Sequence, residues 1–218
     1  MIERLVSIFI GYIFGLFQTS YIIGKMHKTD IREHGSGNAG TTNALRTFGK
    51  KAGALTLLGD GLKCVLAIVV VRMFFLKNYS DIMPLLSVYA AAGCVLGHNF
   101  PINLGFRGGK GIAASVGFLL AFDLRLFVIC AILFFVIFFA THYVSLCSIS
   151  CYLVAFAMMI ILGQTVGYNM SSSHSIEMYV VMGAMTCLAI WRHRTNIERL
   201  LSGTENKVFL NRKSSKKG

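Results

Sequence analysis

Three short stretches of this chain combine glycine with cations and neutral hydrogen-bond donors. The first, residues 34–46, reads His-Gly-Ser-Gly-Asn-Ala-Gly-Thr-Thr-Asn-Ala-Leu-Arg. Glycines at 35, 37 and 40 let backbone N–H groups crowd toward an anion, since no Cβ blocks the approach. Ser36, Asn38, Thr41, Thr42 and Asn43 add neutral donors, and Arg46 offers a two-pronged fork for phosphate oxygens. Thr42 or Asn43 can cap a following helix, whose N-terminus favours phosphate. No Gly-Lys-Ser/Thr follows the glycines, so this is not a nucleotide phosphate loop. The plain alternative is a flexible turn-rich loop. So many donors in one window favour an anion site.

The second stretch, residues 97–111, reads Gly-His-Asn-Phe-Pro-Ile-Asn-Leu-Gly-Phe-Arg-Gly-Gly-Lys-Gly. Arg107, Gly108, Gly109 and Lys110 again join positive charge to bare backbone, and they lead into a helix whose dipole favours an anion. His98 shares this polar segment with Lys110 and is open to a functional or a structural role. The third stretch, residues 193–205, reads His-Arg-Thr-Asn-Ile-Glu-Arg-Leu-Leu-Ser-Gly-Thr-Glu. On a helix, His193 and Asn196 share a face with Leu200 and Leu201, and Arg199 follows Asn196 at i+3. Polar groups on the leucine-bearing face argue that this end points inward. Asp60 and Lys63, also i and i+3, read as a buried ion pair in preference to a site. Thr141, His142 and Ser145 can line the same cavity as the three stretches.

Membrane helices must position these stretches. Of 218 residues, 55% are hydrophobic and 14% charged, too greasy and too poor in charge for a soluble globule. Seventeen Phe exclude a disordered chain. Residues 5–23, 52–76, 82–97, 144–163 and 178–191 are long enough to span a bilayer. The N-terminus carries Glu3 and Arg4 and lacks a small-residue cleavage site, so 5–23 reads as a span and not a signal peptide. The six cysteines sit in apolar runs without CxxC spacing and read as small hydrophobes, with no metal cluster and no cofactor expected.

Charge settles the remaining stretch, 112–140. Sixteen of the 21 Lys and Arg lie in 24–51, 98–111 and 192–218 with only four acids, so the whole net charge of +12 resides there. Positive-inside bias explains this excess better than nucleic-acid binding does. The loop 164–177 has no Lys or Arg and is expected outside. If the three basic segments share one side, an even number of spans must join 111 to 192. That splits 112–140 at Asp123-Leu124-Arg125 into two short helices. The expectation is an all-α polytopic membrane protein of about seven transmembrane helices, N-terminus outside and C-terminus cytoplasmic. Residues 1–205 form one domain, and 206–218 form a loose basic tail near lipid headgroups.

Taken together, the three stretches resemble the three signatures of the bacterial acyl-phosphate:glycerol-3-phosphate acyltransferase family. The first resembles Ser-Gly-Asn-x-Gly-x-Thr-Asn plus Arg, matched by residues 36–43 and Arg46. The second resembles Gly-His-x-Phe-Pro ending in Gly-Gly-Lys-Gly, matched by 97–101 and 108–111. The third resembles His-x-x-Asn-x-x-Arg-Leu-x-x-Gly-x-Glu, matched by His193, Asn196, Arg199, Leu200, Gly203 and Glu205. An Asp-x-x-Lys is matched by Asp60 and Lys63; Arg107 stands where Lys is common, and Cys64 where Gly often follows the Lys.

The resemblance implies a seven-helix enzyme of phospholipid synthesis in the bacterial inner or plasma membrane, with its site on the cytoplasmic face. It transfers an acyl group from acyl phosphate to the sn-1 hydroxyl of glycerol 3-phosphate, giving 1-acylglycerol 3-phosphate (lysophosphatidic acid) and phosphate. Its partners are both substrates, the bilayer and an enzyme supplying acyl phosphate, without nucleic acid. Ser36, Asn38, Thr41, Asn43, Arg46, Arg107, Gly108, Gly109, Lys110, His193, Asn196 and Arg199 are the expected substrate-binding residues; Ser36, His98 and Lys110 are the expected catalytic ones. The proton acceptor is His98 or the substrate's own phosphate.

Two other readings compete. Acyltransferases using acyl-CoA or acyl carrier protein carry His-x4-Asp, but Asn103, Cys147 and Glu198 stand five residues after His98, His142 and His193. A transporter for a phosphorylated anion would suit the basic loops, but no inverted repeat is visible.

Overall fold

The computed structural model describes residues 1–209, all of whose regular structure is helical; residues 210–218 of the expected tail lie outside the described residues. The helices are α1 (Ile2–Gly15), α2 (Thr19–Met26), α3 (Thr41–Phe48), α4 (Lys50–Phe75), α5 (Met83–Asn99), α6 (Ile112–Phe122), α7 (Leu124–Thr141), α8 (Val144–Thr165), α9 (Ser172–Arg192) and α10 (Arg194–Leu201). Six helical stretches among the described residues are long and apolar enough to cross a membrane. The 11-residue α6 is a shorter apolar helix, roughly 16 Å long at 1.5 Å per residue.

The split of 112–140 falls where charge places it. Asp123 is extended, and its carboxylate caps α7 by accepting from the Arg125 N–H at 2.9 Å. The short α6 is sheltered by α4, against which Gly117 lies so close that a Cβ there would strike the Gly61 carbonyl oxygen. Four helices, α6 to α9, therefore join the second basic stretch to the third. The basic stretches gather at one loop-rich end of the bundle, which also holds the His142 turn. The chain at 76–82, Asp123 and the 166–171 loop occupy the opposite end.

The tightest helix pair is α1 on α5. Gly11 and Gly15 on one helix face Gly93 and Gly97 on the other, and a Cβ at Gly11 would meet the Ala90 carbonyl. Two small-xxx-small patterns thus let parallel backbones touch, a membrane packing mode that needs no hydrophobic driving force. Beside them, Ile68, Leu86, Phe118, Met159 and Met182 fill the core, while Phe9, Leu58, Met73 and Phe139 face outward as lipid-facing residues do.

The first span is not one continuous helix as the sequence suggests. It breaks at residues 16–18, and the cause lies on α4. An unbroken helix would bond the Thr19 N–H to the Gly15 carbonyl. Here the Thr19 N–H donates to Asp60 Oδ1 at 3.3 Å, and the Gly15 carbonyl accepts from Lys63 Nζ at 3.3 Å. The Asp60–Lys63 pair, 3.1 Å apart, stands in for the missing backbone bond. That satisfies polar groups which hydrocarbon could not.

Within the expected tail, residues 206–209 are held against the bundle. Val208 is buried against Phe138 and Cys147, and its N–H donates to the His142 carbonyl at 2.9 Å. An apolar residue in an otherwise polar segment anchors residues 206–209.

Candidate active site

At the loop-rich end the three stretches close on one another. Arg32, two residues before the first stretch, donates to the Leu104 carbonyl of the second at 2.8 Å. A Cβ on Gly109 would strike His98 Nε2 and crowd the Ala39 carbonyl, so Gly109 lies where both stretches meet α5. Arg192 donates to the carbonyls of Gly108 at 3.2 Å and Gly109 at 2.6 Å, and Lys110 Nζ to Asn196 Oδ1, which joins the second stretch to the third. Arg46 donates to the carbonyl of Asn206, the residue just past the third stretch, at 3.4 Å.

Glu205 organises the cations. Its Oε1 accepts from Asn196 Nδ2 at 2.7 Å and from Ser145 at 3.0 Å, and its Oε2 accepts from Arg199 at 2.8 Å. Burial, reinforced by the Arg199 charge, pushes the Lys110 ammonium down to about 8. Burial and the Lys110 charge push the buried His193 down to about 4, so it is neutral at neutral pH. His193 Nδ1 lies 2.8 Å from the Ala189 carbonyl, which can only accept. Nδ1 therefore carries the proton, and Nε2 keeps its lone pair.

Several expected donors are already engaged. The Gly109 N–H donates to the His98 carbonyl at 3.1 Å and the Gly108 N–H to the Asn99 carbonyl at 3.3 Å. They satisfy the end of α5, whose last carbonyls lack helical partners, and so are not free for an anion. Likewise the N–H groups of Gly37 and Gly40 bond back within the first stretch. Asn43 neither caps a helix nor faces outward. It is buried, accepts from the Ser36 N–H at 2.9 Å, and donates to the carbonyls of Ile31, His34 and Asn38. α3 is capped by Gly40 without a side-chain bond. Asn43 holds the loop that displays Ser36 and Asn38, both on its outer side. Arg107 is exposed, Arg46 lies at the surface beside Asn206, and the Thr41 hydroxyl is buried with no partner among the described residues. Thr141 bonds its own helix, and His142 lies tilted against Phe209, so of that trio only Ser145 joins the cluster.

Beneath this rim lies a second, fully buried cluster. Lys63 Nζ sits 2.9 Å from His98 Nδ1 and donates also to the Phe17 carbonyl. Gln18 donates to the His98 carbonyl at 2.9 Å, and Thr19 Oγ1 donates to Asp60 Oδ1 at 3.0 Å.

Gln18, Arg192 and Glu205 are functional-end residues that reasoning from spacing did not assign. Gln18 was a single amide in an apolar run, and Arg192 read as ordinary positive-inside charge. Glu205 entered only through the third signature.

Fold and site together define a polytopic helical membrane protein with a cation-rich polar end. A family model described as glycerol-3-phosphate acyltransferase matches residues 5–203. The chain is 41% identical over 206 residues to the glycerol-3-phosphate acyltransferase of Clostridioides difficile strain 630, covering 91% of this chain and 92% of that one. It is 40% identical to the Bacillus subtilis strain 168 enzyme of the same name, covering 92% and 95%. The crystal structure of PlsY (YgiH), an integral membrane glycerol 3-phosphate acyltransferase, in its glycerol 3-phosphate form superposes with a TM-score of 0.81. It has 30% identity and covers 94% of this chain and 96% of that one. The lysophosphatidic acid form gives a TM-score of 0.78 at 29% identity, covering 95% and 96%. The chain belongs to the glycerol-3-phosphate acyltransferase family and is an integral membrane acyltransferase of phospholipid synthesis.

Proposed function

We propose that the enzyme takes a fatty acyl group from an acyl phosphate and delivers it to the sn-1 hydroxyl of glycerol 3-phosphate. The hydroxyl oxygen bonds to the acyl carbon, the bond from that carbon to the phosphate oxygen breaks, and the hydroxyl proton leaves. The products are 1-acylglycerol 3-phosphate and inorganic phosphate. The observation that carries this reading is the closure of three cation-bearing stretches on one another at one end. Both substrates bear a phosphate, and a site for two such anions needs several cations.

Ser36, Asn38, Arg46, Arg107 and Lys110 are assigned to the phosphates, with the first-turn N–H groups of α3 and α6. Thr41 stands in that first turn of α3. The Nε2 lone pair of His193, with Asn196 and Arg199, completes the glycerol 3-phosphate subsite. Gly108 and Gly109 serve by admitting the close approach to His98. Lys110 is placed to stabilise the oxyanion as the carbonyl is attacked. Phosphate is already a good leaving group, so alignment of hydroxyl and carbonyl supplies much of the rate. The proton goes to His98 or to the substrate's own phosphate.

In the same reading the loop-rich end faces the cytoplasm, the N-terminus lies outside, and the membrane is the bacterial plasma membrane. The excess of Lys and Arg at that end supports this. A supplier of acyl phosphate would then work against that face.

Purified protein in detergent is expected to release phosphate from palmitoyl phosphate only when glycerol 3-phosphate is present, with lysophosphatidic acid formed in equal amount. Release without the acceptor, or equal use of palmitoyl-CoA, overturns the donor assignment. Single-cysteine labelling from the two sides of the membrane tests the orientation; any of the three stretches opposite the others sinks it.

A further inference from the structure

The buried cluster under the rim holds the His98 ring, whose Nε2 edge lies against Gly109 in the Gly108–Gly109 turn. His98 is 2% exposed, Lys63 5% and Asp60 0%. Around Lys63 Nζ stand three oxygens, those of Gly15, Phe17 and Asp60 Oδ1, and the Nδ1 atom of His98. An ammonium has three N–H donors and no lone pair. Its three donors match the two carbonyls and Nδ1, and the Asp60 carboxylate 3.1 Å away pairs with its charge; a neutral amine accepting from His98 would leave that buried carboxylate without a cation. The lysine is therefore charged, and towards His98 it can only donate. Nδ1 must then be the acceptor, and the ring carries its proton on Nε2, the atom that faces Gly109.

We propose that Lys63 is a positioning residue for acyl transfer: it fixes His98 as the Nε2–H tautomer, so that His98 meets the substrate as a hydrogen-bond donor and not as the proton acceptor. Asp60 holds the lysine, and Gln18 pins the His98 backbone from the other side. The donor then sits beside the turn that carries Lys110, where it can bond a phosphate or carbonyl oxygen on which negative charge develops. His193 is set the opposite way, its Nδ1 proton on the Ala189 carbonyl and its Nε2 lone pair free. One site thus presents one imidazole as donor and another as acceptor, each fixed by a different neighbour.

The first test needs no turnover. Nitrogen-15 NMR of histidine-labelled enzyme in detergent, assigned with His98→Gln and His193→Gln, is expected to show His98 unprotonated at Nδ1 and His193 protonated there. His98 with its proton on Nδ1 overturns the proposal, whatever the fate of the acyl-transfer reading on which its catalytic half rests. The second test is kinetic. Glutamine offers an oxygen towards Lys63 and an amide N–H towards the site in one group. His98→Gln is expected to keep kcat within about tenfold, while His98→Ala loses about 10²–10³-fold, as when one oxyanion donor is removed. Retention by Gln is incompatible with a base; loss equal to that of Ala overturns the donor role.

Lys63→Met is expected to lower kcat by about 10–100-fold, in the range of other outer-shell partners, with the KM for glycerol 3-phosphate little changed. In a His98→Ala background the same change should cost nothing further, because both act through one ring. Losses that multiply would show that Lys63 acts elsewhere. Asp60→Asn combined with Lys63→Met removes the stranded carboxylate while keeping an acceptor for the Thr19 N–H, and serves if the single variant does not fold.

Discussion

The two ends of the bundle handle charge in opposite ways. At the opposite end, Arg4 grips both oxygens of Glu177 at 2.6 and 2.8 Å, Tyr89 donates to the same carboxylate at 2.7 Å, and Arg125 closes on Asp123 at 2.6 Å. Charge there is cancelled locally and ties α1 to α9. At the loop-rich end Asp30 pairs with Arg32 and Glu205 with Arg199, and Glu205 also orders Asn196 and through it holds Lys110. Arg46 and Arg192 meet carbonyls in place of acids. Arg46, Lys110 and Arg192 are left there without a carboxylate partner among the described residues, and an assembled surplus of cation is what an anionic substrate requires. Ion pairs of the first kind hold a structure together; the second kind keeps a site open for a partner of opposite charge.

That contrast can be broken most directly with Arg46→Ala and Lys110→Ala. Each is expected to lower kcat/KM by about 10²–10³-fold in the palmitoyl phosphate assay while the detergent melting temperature stays near that of the parent. An equal loss from Arg4→Ala would erase the distinction. Gly109→Ala sharpens it, because the added methyl meets His98 Nε2 and the Ala39 carbonyl. We expect a loss of about tenfold to a hundredfold in kcat/KM together with about 1–3 kcal/mol of stability from overpacking, read by kinetics and thermal melting.

A pH series comes next. Lys110 is charged below about 8 and loses its proton as pH rises through that value, well short of the usual 10.5. The KM for an anionic substrate should therefore climb several-fold between pH 7 and 9, a rise that Lys110→Arg removes. The smallest effect belongs to the opposite end. Glu177→Gln should cost about 1 kcal/mol, as part-exposed pairs do, and leave kcat unchanged.

Much of the architecture was legible because charge and length are one-dimensional signals. The sum of basic residues along the chain demanded an even number of helices after residue 111, and Asp123 with Arg125 supplied the only plausible break. The gathering of His193, Asn196, Arg199, Arg46 and Lys110 was legible for the same reason. Occupancy was hidden. Spacing tells which N–H groups a glycine run exposes, but not that Gly108 and Gly109 must bond the carbonyl end of α5, nor that Asn43 serves the loop from within. The gap in the first span was equally hidden, since Leu16 and Phe17 are as apolar as their neighbours and the cause lies 41 residues downstream, in the bond from Thr19 to Asp60.

The exchange of a helical bond for a side-chain pair has a hereditary consequence. A lineage that lost the carboxylate at 60 alone would strand an amide hydrogen in oil, and one that lost the amine at 63 alone would strip the Phe17 carbonyl of its side-chain donor and leave the buried carboxylate without its cation. The two positions must therefore drift together or not at all. Position 59 is bound to the same pact, since any side chain there would shoulder Thr19 off its acceptor.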